Sequence, residues 1–182
     1  MSRVGIYGGT FDPIHLGHLH VITQLFEKDL VDQLLVVPAG EPLLRDNAPI
    51  ASAAQRRAMC QLALSDLPPA ISSKVQVNPI EVLRMGPSYA IDTVEAVAQN
   101  FPGDTIVLVI GQDAAGKLDQ WHRIEELRAM VQFLVIGRPG YSGDGIDIGA
   151  LNVSATTIRQ GLSAEVSSSV AAFIRDNNLY DN

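Results

Sequence analysis

Residues 8–18 read Gly-Gly-Thr-Phe-Asp-Pro-Ile-His-Leu-Gly-His and form the most informative stretch of the chain. They follow a short apolar segment, residues 3–8, which we predict to be a strand. They lead into residues 17–28, where apolar side chains recur at helical spacing. The paired glycines let backbone N–H groups approach an anion closely, and the start of a helix adds positive potential. This order of strand, glycine turn and helix predicts a phosphate-binding loop.

Apolar runs and helical patterns alternate along the rest of the chain. The runs predict strands at residues 32–38, 74–77, 105–110 and 132–137. The helical patterns lie after Ser52 and at residues 89–101, 113–118, 123–130, 155–162 and 167–177. Apolar strands that alternate with helices predict a parallel sheet covered on both faces. We therefore expect an α/β fold of the Rossmann-like, three-layer α/β/α type, with residues 1–182 forming a single domain and the ligand beyond the carboxyl ends of the strands.

The composition bounds the kinds of partner that this chain can have. The 182 residues carry a formal net charge of −7 and are 47% hydrophobic. An acidic balance argues against a nucleic-acid or membrane surface, although a small anion needs only a local cluster of donors. No apolar run is long enough to cross a bilayer, and the N-terminus enters a strand directly. Cys60 is the only cysteine and lies in a helical pattern, so we expect a buried thiol and a cytoplasmic protein.

The histidines of the first stretch suit the binding of phosphate. His15 and His18 are three positions apart and can both donate to phosphate oxygens, while Gly17 between them leaves room for a ligand. Thr10 adds a hydroxyl donor. A metal site formed by His15, His18 and His20 is the main chemical alternative. Spacings of three and two do not place three ligands on one helix face, and no cysteine or paired glutamate joins them, so we predict no metal site and an exposed His20.

A second stretch, residues 153–159, reads Val-Ser-Ala-Thr-Thr-Ile-Arg. Ser154 is a natural helix N-cap, and Thr156 and Arg159 share one helix face because they are three positions apart. Hydroxyls and a guanidinium aimed at one place suit the β- and γ-phosphates of a nucleotide. Taken alone, this stretch favours an ordinary capped helix over a phosphate site.

Together the two stretches resemble a known family. The first resembles the H-x-G-H signature of the nucleotidylyl-transferase superfamily and, over its full length, the bacterial nicotinate-nucleotide adenylyltransferases. The second is similar to the I-S-S-T-x-x-R element of the same family. Residues 51–59, 86–93 and 110–121 also resemble family segments, in the expected order. The resemblance implies transfer of AMP from ATP to nicotinate or nicotinamide mononucleotide, with release of pyrophosphate and with Mg²⁺ carried on the ATP phosphates.

The resemblance also implies a role for particular residues. The residues that would stabilise charge during catalysis are His15, His18 and Arg159. Those that would bind ATP are Gly8, Gly9, Thr10, Phe11, Gly17, Arg45, Gly111, Asp113, Ser154 and Thr156. Those on the acceptor side would be Thr10, Ala90, Trp121 and Arg138, with Trp121 stacked on the pyridine ring. The implied partners are ATP and a pyridine mononucleotide; the oligomeric state is left open, a homo-oligomer included.

This chain departs from the family pattern at four places. Leu44 stands where many relatives have a histidine, Ala90 replaces a threonine and Ala155 replaces a serine. The segment 141–153 is shorter than in typical relatives. These departures leave two alternatives open: the same chemistry with another acceptor, phosphopantetheine or a flavin mononucleotide, and a non-catalytic relative that only binds nucleotides.

Overall fold

Five strands form one sheet in the order β3-β2-β1-β4-β5, and every neighbouring pair is parallel. The computed structural model describes residues 1–40, 48–137 and 144–180. The strands are β1 (Arg3–Gly9), β2 (Gln33–Pro38), β3 (Val75–Val77), β4 (Thr105–Gly111) and β5 (Gln132–Ile136). The helices are α1 (Leu16–Glu27), α2 (Ala53–Ser65), α3 (Pro69–Ser72), α4 (Ile80–Leu83), α5 (Ala90–Asn100), α6 (Gln112–Ala115), α7 (Ile124–Met130), α8 (Ala155–Arg159) and α9 (Ser168–Asp176), with a 3₁₀ turn at Leu118–Gln120.

The strand order reverses direction between β1 and β4, which makes this point the topological switch point of the sheet. The chain passes from β1 to β2 and β3 toward one edge, then returns to β4 on the other side of β1 and continues to β5. Helices that follow β1 and β4 therefore lie on opposite faces and leave a crevice at the carboxyl ends of these two strands. The predicted parallel, three-layer α/β/α fold is confirmed.

The two faces of the sheet carry separate apolar cores. Alternate side chains of β4 point to opposite faces, as the two-residue period of a strand requires. Val107 and Val109 pack in a core with α1, α2 and α9. Ile106, Leu108 and Ile110 pack in the other core, with α5 and α7. A central strand buried on both sides explains why residues 105–110 form a continuous apolar run.

Most predicted elements agree with the structure to within two residues. Ser52 caps α2, accepting from the backbone N–H of Gln55 at 3.2 Å, and Cys60 is fully buried. Burial raises the pKa of the Cys60 thiol. Among the described residues, no helix is long and apolar enough to span a membrane.

Four helices differ from the prediction. The helices α3 and α4 were not predicted, because four residues are too few to show a helical period. The predicted helix 113–118 is split into α6 and the 3₁₀ turn. The predicted helix 155–162 ends at Arg159, and Gly161 follows with φ +69°.

Candidate active site at the carboxyl ends of β1 and β4

An open cleft of about 450 Å³ lies where β1 and β4 end. Its walls come from the loop after β1, the start of α1, the start of α6 and the segment that leads into α8. The predicted residues that line it are Gly8, Gly9, Thr10, Phe11, His15, Gly17, His18, Gly111, Asp113, Ser154 and Thr156. The fold therefore brings both sequence motifs, more than 130 positions apart, to one cavity.

Phe11 forms the floor of the loop after β1. Its side chain is 2% exposed and its backbone lies in the left-handed region, with φ +50°. The ring meets Tyr7 edge-on at 5.8 Å and His18 edge-on at 4.9 Å between ring centroids. A Cβ at position 9 would lie 2.9 Å from the Phe11 ring. Glycine is therefore required there for the loop to close over the phenyl ring.

His15 and His18 stack on each other at the start of α1. Their ring centroids are 3.7 Å apart and the planes differ by 28°. The backbone N–H of His15 donates to Nδ1 of His18 at 3.1 Å, so His18 caps the helix from its third position. A Cβ at position 17 would lie 3.0 Å from the His15 ring, which explains the intervening Gly17. His15 is only 5% exposed and lies beneath His18.

His20 was expected to be an exposed helix residue, and this was wrong. The side chain is half-buried, and its Nε2 lies 2.8 Å from the carbonyl oxygen of Ile148. A segment 128 positions away covers this turn of α1, which the helical pattern alone cannot indicate. Within the described part of the chain, no group of three or more His, Cys, Asp or Glu side chains is arranged to hold a metal ion.

Arg159 joins the two motifs. Its Nη1 donates to the carbonyl oxygen of Asp12 at 2.6 Å, and its Nη2 donates to Oγ1 of Thr156 at 3.2 Å. The predicted common face of Thr156 and Arg159 is therefore present. Ser154 accepts from the backbone N–H of Thr156 at 3.2 Å, which makes it the N-cap that the sequence predicts. Ser154 and Thr156 are exposed to the cleft, whereas the Arg159 side chain is 17% exposed.

Arg56 holds the loops after β1 and β2 together from inside the protein. It is 2% exposed, and its guanidinium donates to three carbonyl oxygens: Thr10 at 2.8 Å, Ala39 at 2.7 Å and Gly40 at 3.2 Å. Buried charge is costly unless several hydrogen bonds stabilise it. This arginine therefore fixes the backbone of the loop that carries Thr10.

Asp113 lies across the cleft from this loop. Its Oδ1 is 2.6 Å from the position that a Cβ would occupy at residue 111, so Gly111 lets the carboxylate fold back over the end of β4. The Asp113 side chain is exposed and lines the cleft. It stands where a ligand hydroxyl could donate to it.

The predicted acceptor residues Ala90 and Trp121 are not among the residues that line this cleft. Both pack against the core between the sheet, α5 and α7. Their neighbours Tyr89 and His122 are in contact, with ring centroids 4.4 Å apart, so the two segments meet. The Trp121 indole nitrogen and the Ser88 hydroxyl are buried with no hydrogen-bond partner among the described residues. Buried polar groups of this kind usually have a partner, which a ligand can supply.

Two other predicted residues, Arg45 and Arg138, lie outside the described residues, as do Leu44 and the first part of segment 141–153. Sequence reasoning missed Asp12 and Arg56. Asp12 is 3% exposed and accepts the backbone N–H groups of Ile50 at 2.9 Å and Ala51 at 3.1 Å. A charged residue inside a loop motif, or on the inner face of a helix as Arg56 is, was the available signal in each case.

Comparisons with known proteins point to one family. A family model described as cytidylyltransferase-like matches residues 6–171. A probable nicotinate-nucleotide adenylyltransferase of Oceanobacillus iheyensis is 33% identical, with 99% of this chain and 97% of that protein covered. The nicotinate-nucleotide adenylyltransferase of Bacillus subtilis is 30% identical, and the alignment covers 100% of this chain and 100% of that protein.

Solved structures agree on the fold. The nicotinic acid mononucleotide adenylyltransferase of Plasmodium falciparum complexed with NaAD superposes with a TM-score of 0.83 at 21% identity, covering 100% of this chain and 98% of that one. The same protein complexed with APC gives a TM-score of 0.78. At this identity the superposition supports the three-layer α/β/α architecture.

Proposed function

Because this chain belongs to the cytidylyltransferase-like family and, within it, to the nicotinate-nucleotide adenylyltransferases, we propose that it transfers AMP from ATP to nicotinate mononucleotide. The products are the dinucleotide and pyrophosphate. The observation that carries this proposal is the convergence of residues 8–18 and 153–159 on one cleft, with Arg159 bonded to the backbone of Asp12. Relatives named for this reaction match over the full length of the chain.

The chemistry needs alignment of phosphates rather than a covalent intermediate. An oxygen of the mononucleotide's phosphate attacks the α-phosphorus of ATP, and the bond from that phosphorus to the bridging oxygen of the β-phosphate breaks. The attacking phosphate is already ionised at neutral pH, so no general base is required. The chain's task is to hold both phosphates in line and to stabilise the negative charge that develops on the leaving pyrophosphate.

We assign this task to three groups at the cleft. His18 would donate from Nε2 to a phosphate oxygen, because its Nδ1 is occupied by the backbone N–H of His15. Arg159 would add a fixed positive charge beside Thr156, whose hydroxyl is exposed. The loop at Gly8 and Gly9 would let the nucleotide approach the backbone closely.

A divalent metal, Mg²⁺ in our proposal, would arrive with ATP. The described residues offer no cluster of three or more metal-ligating side chains, so the triphosphate and water would be its ligands. When bound it neutralises part of the triphosphate charge. The residues of the chain would contact the remaining phosphate oxygens.

The acceptor would lie where the segments of Ala90 and Trp121 meet. The indole of Trp121 offers a flat face for a pyridine ring, and its buried N–H is a donor with no partner in the described chain. The buried hydroxyl of Ser88, in the segment before Ala90, is a second such group. Thr10 and Arg138 complete the acceptor side in our proposal, and Arg45 the ATP side.

The direct test is release of pyrophosphate from MgATP by the purified protein. Nicotinate and nicotinamide mononucleotides are offered in parallel with phosphopantetheine and flavin mononucleotide. We expect turnover with nicotinate mononucleotide at a rate that exceeds the rate with the other three acceptors. The matched control is Arg159→Ala from an identical preparation, which exposes any contaminating enzyme.

Other results would point to a different function. Turnover with phosphopantetheine or the flavin alone would overturn the acceptor and keep the chemistry. ATP binding without turnover on any acceptor would indicate a nucleotide-binding relative that has lost catalysis.

A further inference from the structure

The C-terminal segment reaches the candidate active site through one side chain. Helix α9 ends in a turn in which Asn178 has φ +49°, and the N–H groups of Asn178 and Leu179 bond back to the carbonyls of Arg175 and Ile174. This turn directs Leu179 into the core, where it is 9% exposed. The next residue, Tyr180, donates its hydroxyl to Oδ1 of Asp12 at 2.7 Å, across 168 positions of sequence.

The Asp12 carboxylate accepts hydrogen bonds from three neutral donors. Its Oδ1 accepts from Tyr180 and from the backbone N–H of Ala51 at 3.1 Å, and its Oδ2 accepts from the backbone N–H of Ile50 at 2.9 Å. The carboxylate is 3% exposed, so water contributes little to its solvation. Burial, with the hydrogen bond to Asp12, raises the pKa of the Tyr180 phenol, which therefore remains a donor at neutral pH.

Arg159 lies next to this carboxylate without forming a close ion pair. Its Nη1 is 4.0 Å from Oδ2 of Asp12 and donates instead to the carbonyl oxygen of the same residue at 2.6 Å. Its Nη2 is thereby directed to Thr156 at the wall of the cleft. An arginine fork prefers a bidentate contact with a carboxylate when one is available.

We propose that Tyr180 is a positioning residue for Arg159: its hydroxyl is one of three neutral donors that compensate the charge of the Asp12 carboxylate, and so it keeps the guanidinium directed toward Thr156 and the cleft. The proposal rests on the function given above for its kinetic consequence. Without the hydroxyl, the carboxylate keeps one donor on each oxygen. Its less compensated charge then draws the guanidinium, whose Nη1 is already 4.0 Å from Oδ2, toward the carboxylate and away from Thr156.

A double-mutant cycle tests this link. The four proteins are wild type, Tyr180→Phe, Arg159→Ala and the double variant, each assayed for kcat with MgATP and nicotinate mononucleotide. Tyr180→Phe removes one hydroxyl and should lower kcat about tenfold, as for a misplaced charge-stabilising group. In the Arg159→Ala background the same change should alter kcat by less than about twofold, because residues that act through each other are not additive.

The matched control is Ser169→Ala. The Ser169 hydroxyl also donates to a carboxylate at 2.7 Å, Oδ1 of Asp66, and also anchors the C-terminal helix. It lies away from the cleft, so this change should lower Tm and leave kcat unchanged. If Tyr180→Phe melts below the assay temperature, the cycle is run at a lower temperature at which all four proteins are folded, with the same expected dependence on Arg159.

The cycle is repeated on the Kd for an ATP analogue with a methylene group between the α- and β-phosphates. A wild type that binds the analogue but does not turn over would refute the proposed function. The cycle on Kd would then test the positioning role of Tyr180 independently of catalysis. An unchanged kcat and Kd in Tyr180→Phe would overturn the positioning role. Equal fold-changes of kcat and Kd on Tyr180→Phe in the wild-type and Arg159→Ala backgrounds would also overturn it. A wild type that binds no nucleotide would overturn it as well.

Discussion

The backbone N–H of His15 donates to Nδ1 of His18 at 3.1 Å, and this hydrogen bond fixes the proton on the other nitrogen of the His18 ring. A neutral imidazole carries one N–H, so His18 keeps Nε2–H as a donor. The same contact closes the first turn of α1. His18 therefore has two separable roles, one in helix capping and one toward a ligand.

Substitution of His18 should separate these roles. His18→Asn keeps a short side-chain oxygen that can accept the N–H of His15 but loses the donor at Nε2. We expect kcat to fall about 10²-fold, as for a lost charge-stabilising donor, with little change in Tm. His18→Ala should show the same fall in kcat and also lose about 1 kcal/mol of stability, the typical value of a helix cap. A wild-type kcat in either variant would remove His18 from the proposed mechanism.

Arg56 is expected to be a stability determinant. Arg56→Met fills a similar volume but leaves the buried carbonyls of Thr10, Ala39 and Gly40 without their donor. At about 1 kcal/mol for each lost partner, the free energy of unfolding should fall by about 3 kcal/mol in urea titrations. The control is Arg57→Met on the same helix turn, where we expect a change within about 0.5 kcal/mol because the side chain is not buried. Equal effects at both positions would show that the three carbonyl contacts contribute nothing specific.

Substitution of Trp121 should raise the KM for the acceptor more than the KM for ATP. Trp121→Ala removes the flat ring and should raise KM for the mononucleotide about tenfold, while KM for ATP changes less than about twofold. Trp121→Phe retains a stacking face but not the N–H, and we expect it to restore most of the loss. An equal rise of both KM values in Trp121→Ala would indicate that the ring only packs in the core beside α5 and α7.

Glu81 should make stability fall as the pH rises above the ordinary carboxyl range. Burial raises the pKa of Glu81 and outweighs the hydrogen bond that the Thr93 hydroxyl donates to it at 2.9 Å, which by itself lowers the pKa. The folded state then holds the proton more tightly than the unfolded chain, so the contribution is present at low pH and is lost as the pH rises through the raised pKa. In melting curves from pH 4 to pH 7, Glu81→Gln should gain Tm relative to wild type as the pH rises.

Glu126 provides a control of opposite sign for that experiment. Its hydrogen bond with Arg123 lowers the pKa of the Glu126 carboxyl, so its contribution is present at neutral pH and is lost as the pH falls. The Tm of Glu126→Gln should therefore approach that of wild type at low pH. Parallel Tm profiles for wild type and Glu81→Gln would contradict the raised pKa of Glu81 in the folded protein.

The sequence by itself determined the type of fold and the motifs that meet in it. The period of the apolar residues distinguishes strands from helices locally, and the alternation of the two leaves a parallel sheet as the arrangement that buries both faces. Glycines at positions 8, 9 and 17 and the polar side chains around them indicated a phosphate site. These signals lie within short stretches, so they do not depend on how distant segments pack.

Only the tertiary structure decided which side chains hold the site in place. The contacts from Arg159 and Tyr180 to Asp12 span 147 and 168 positions, and those from Arg56 cross between two loops. Such pairs depend on the order of the strands and on the turn after α9, which no local pattern encodes. His20 shows the same limit, because its helical position predicted exposure and the segment at Ile148 buries it. A hydrogen bond is specified by geometry to within tenths of an ångström, and that geometry exists only once the sheet has assembled.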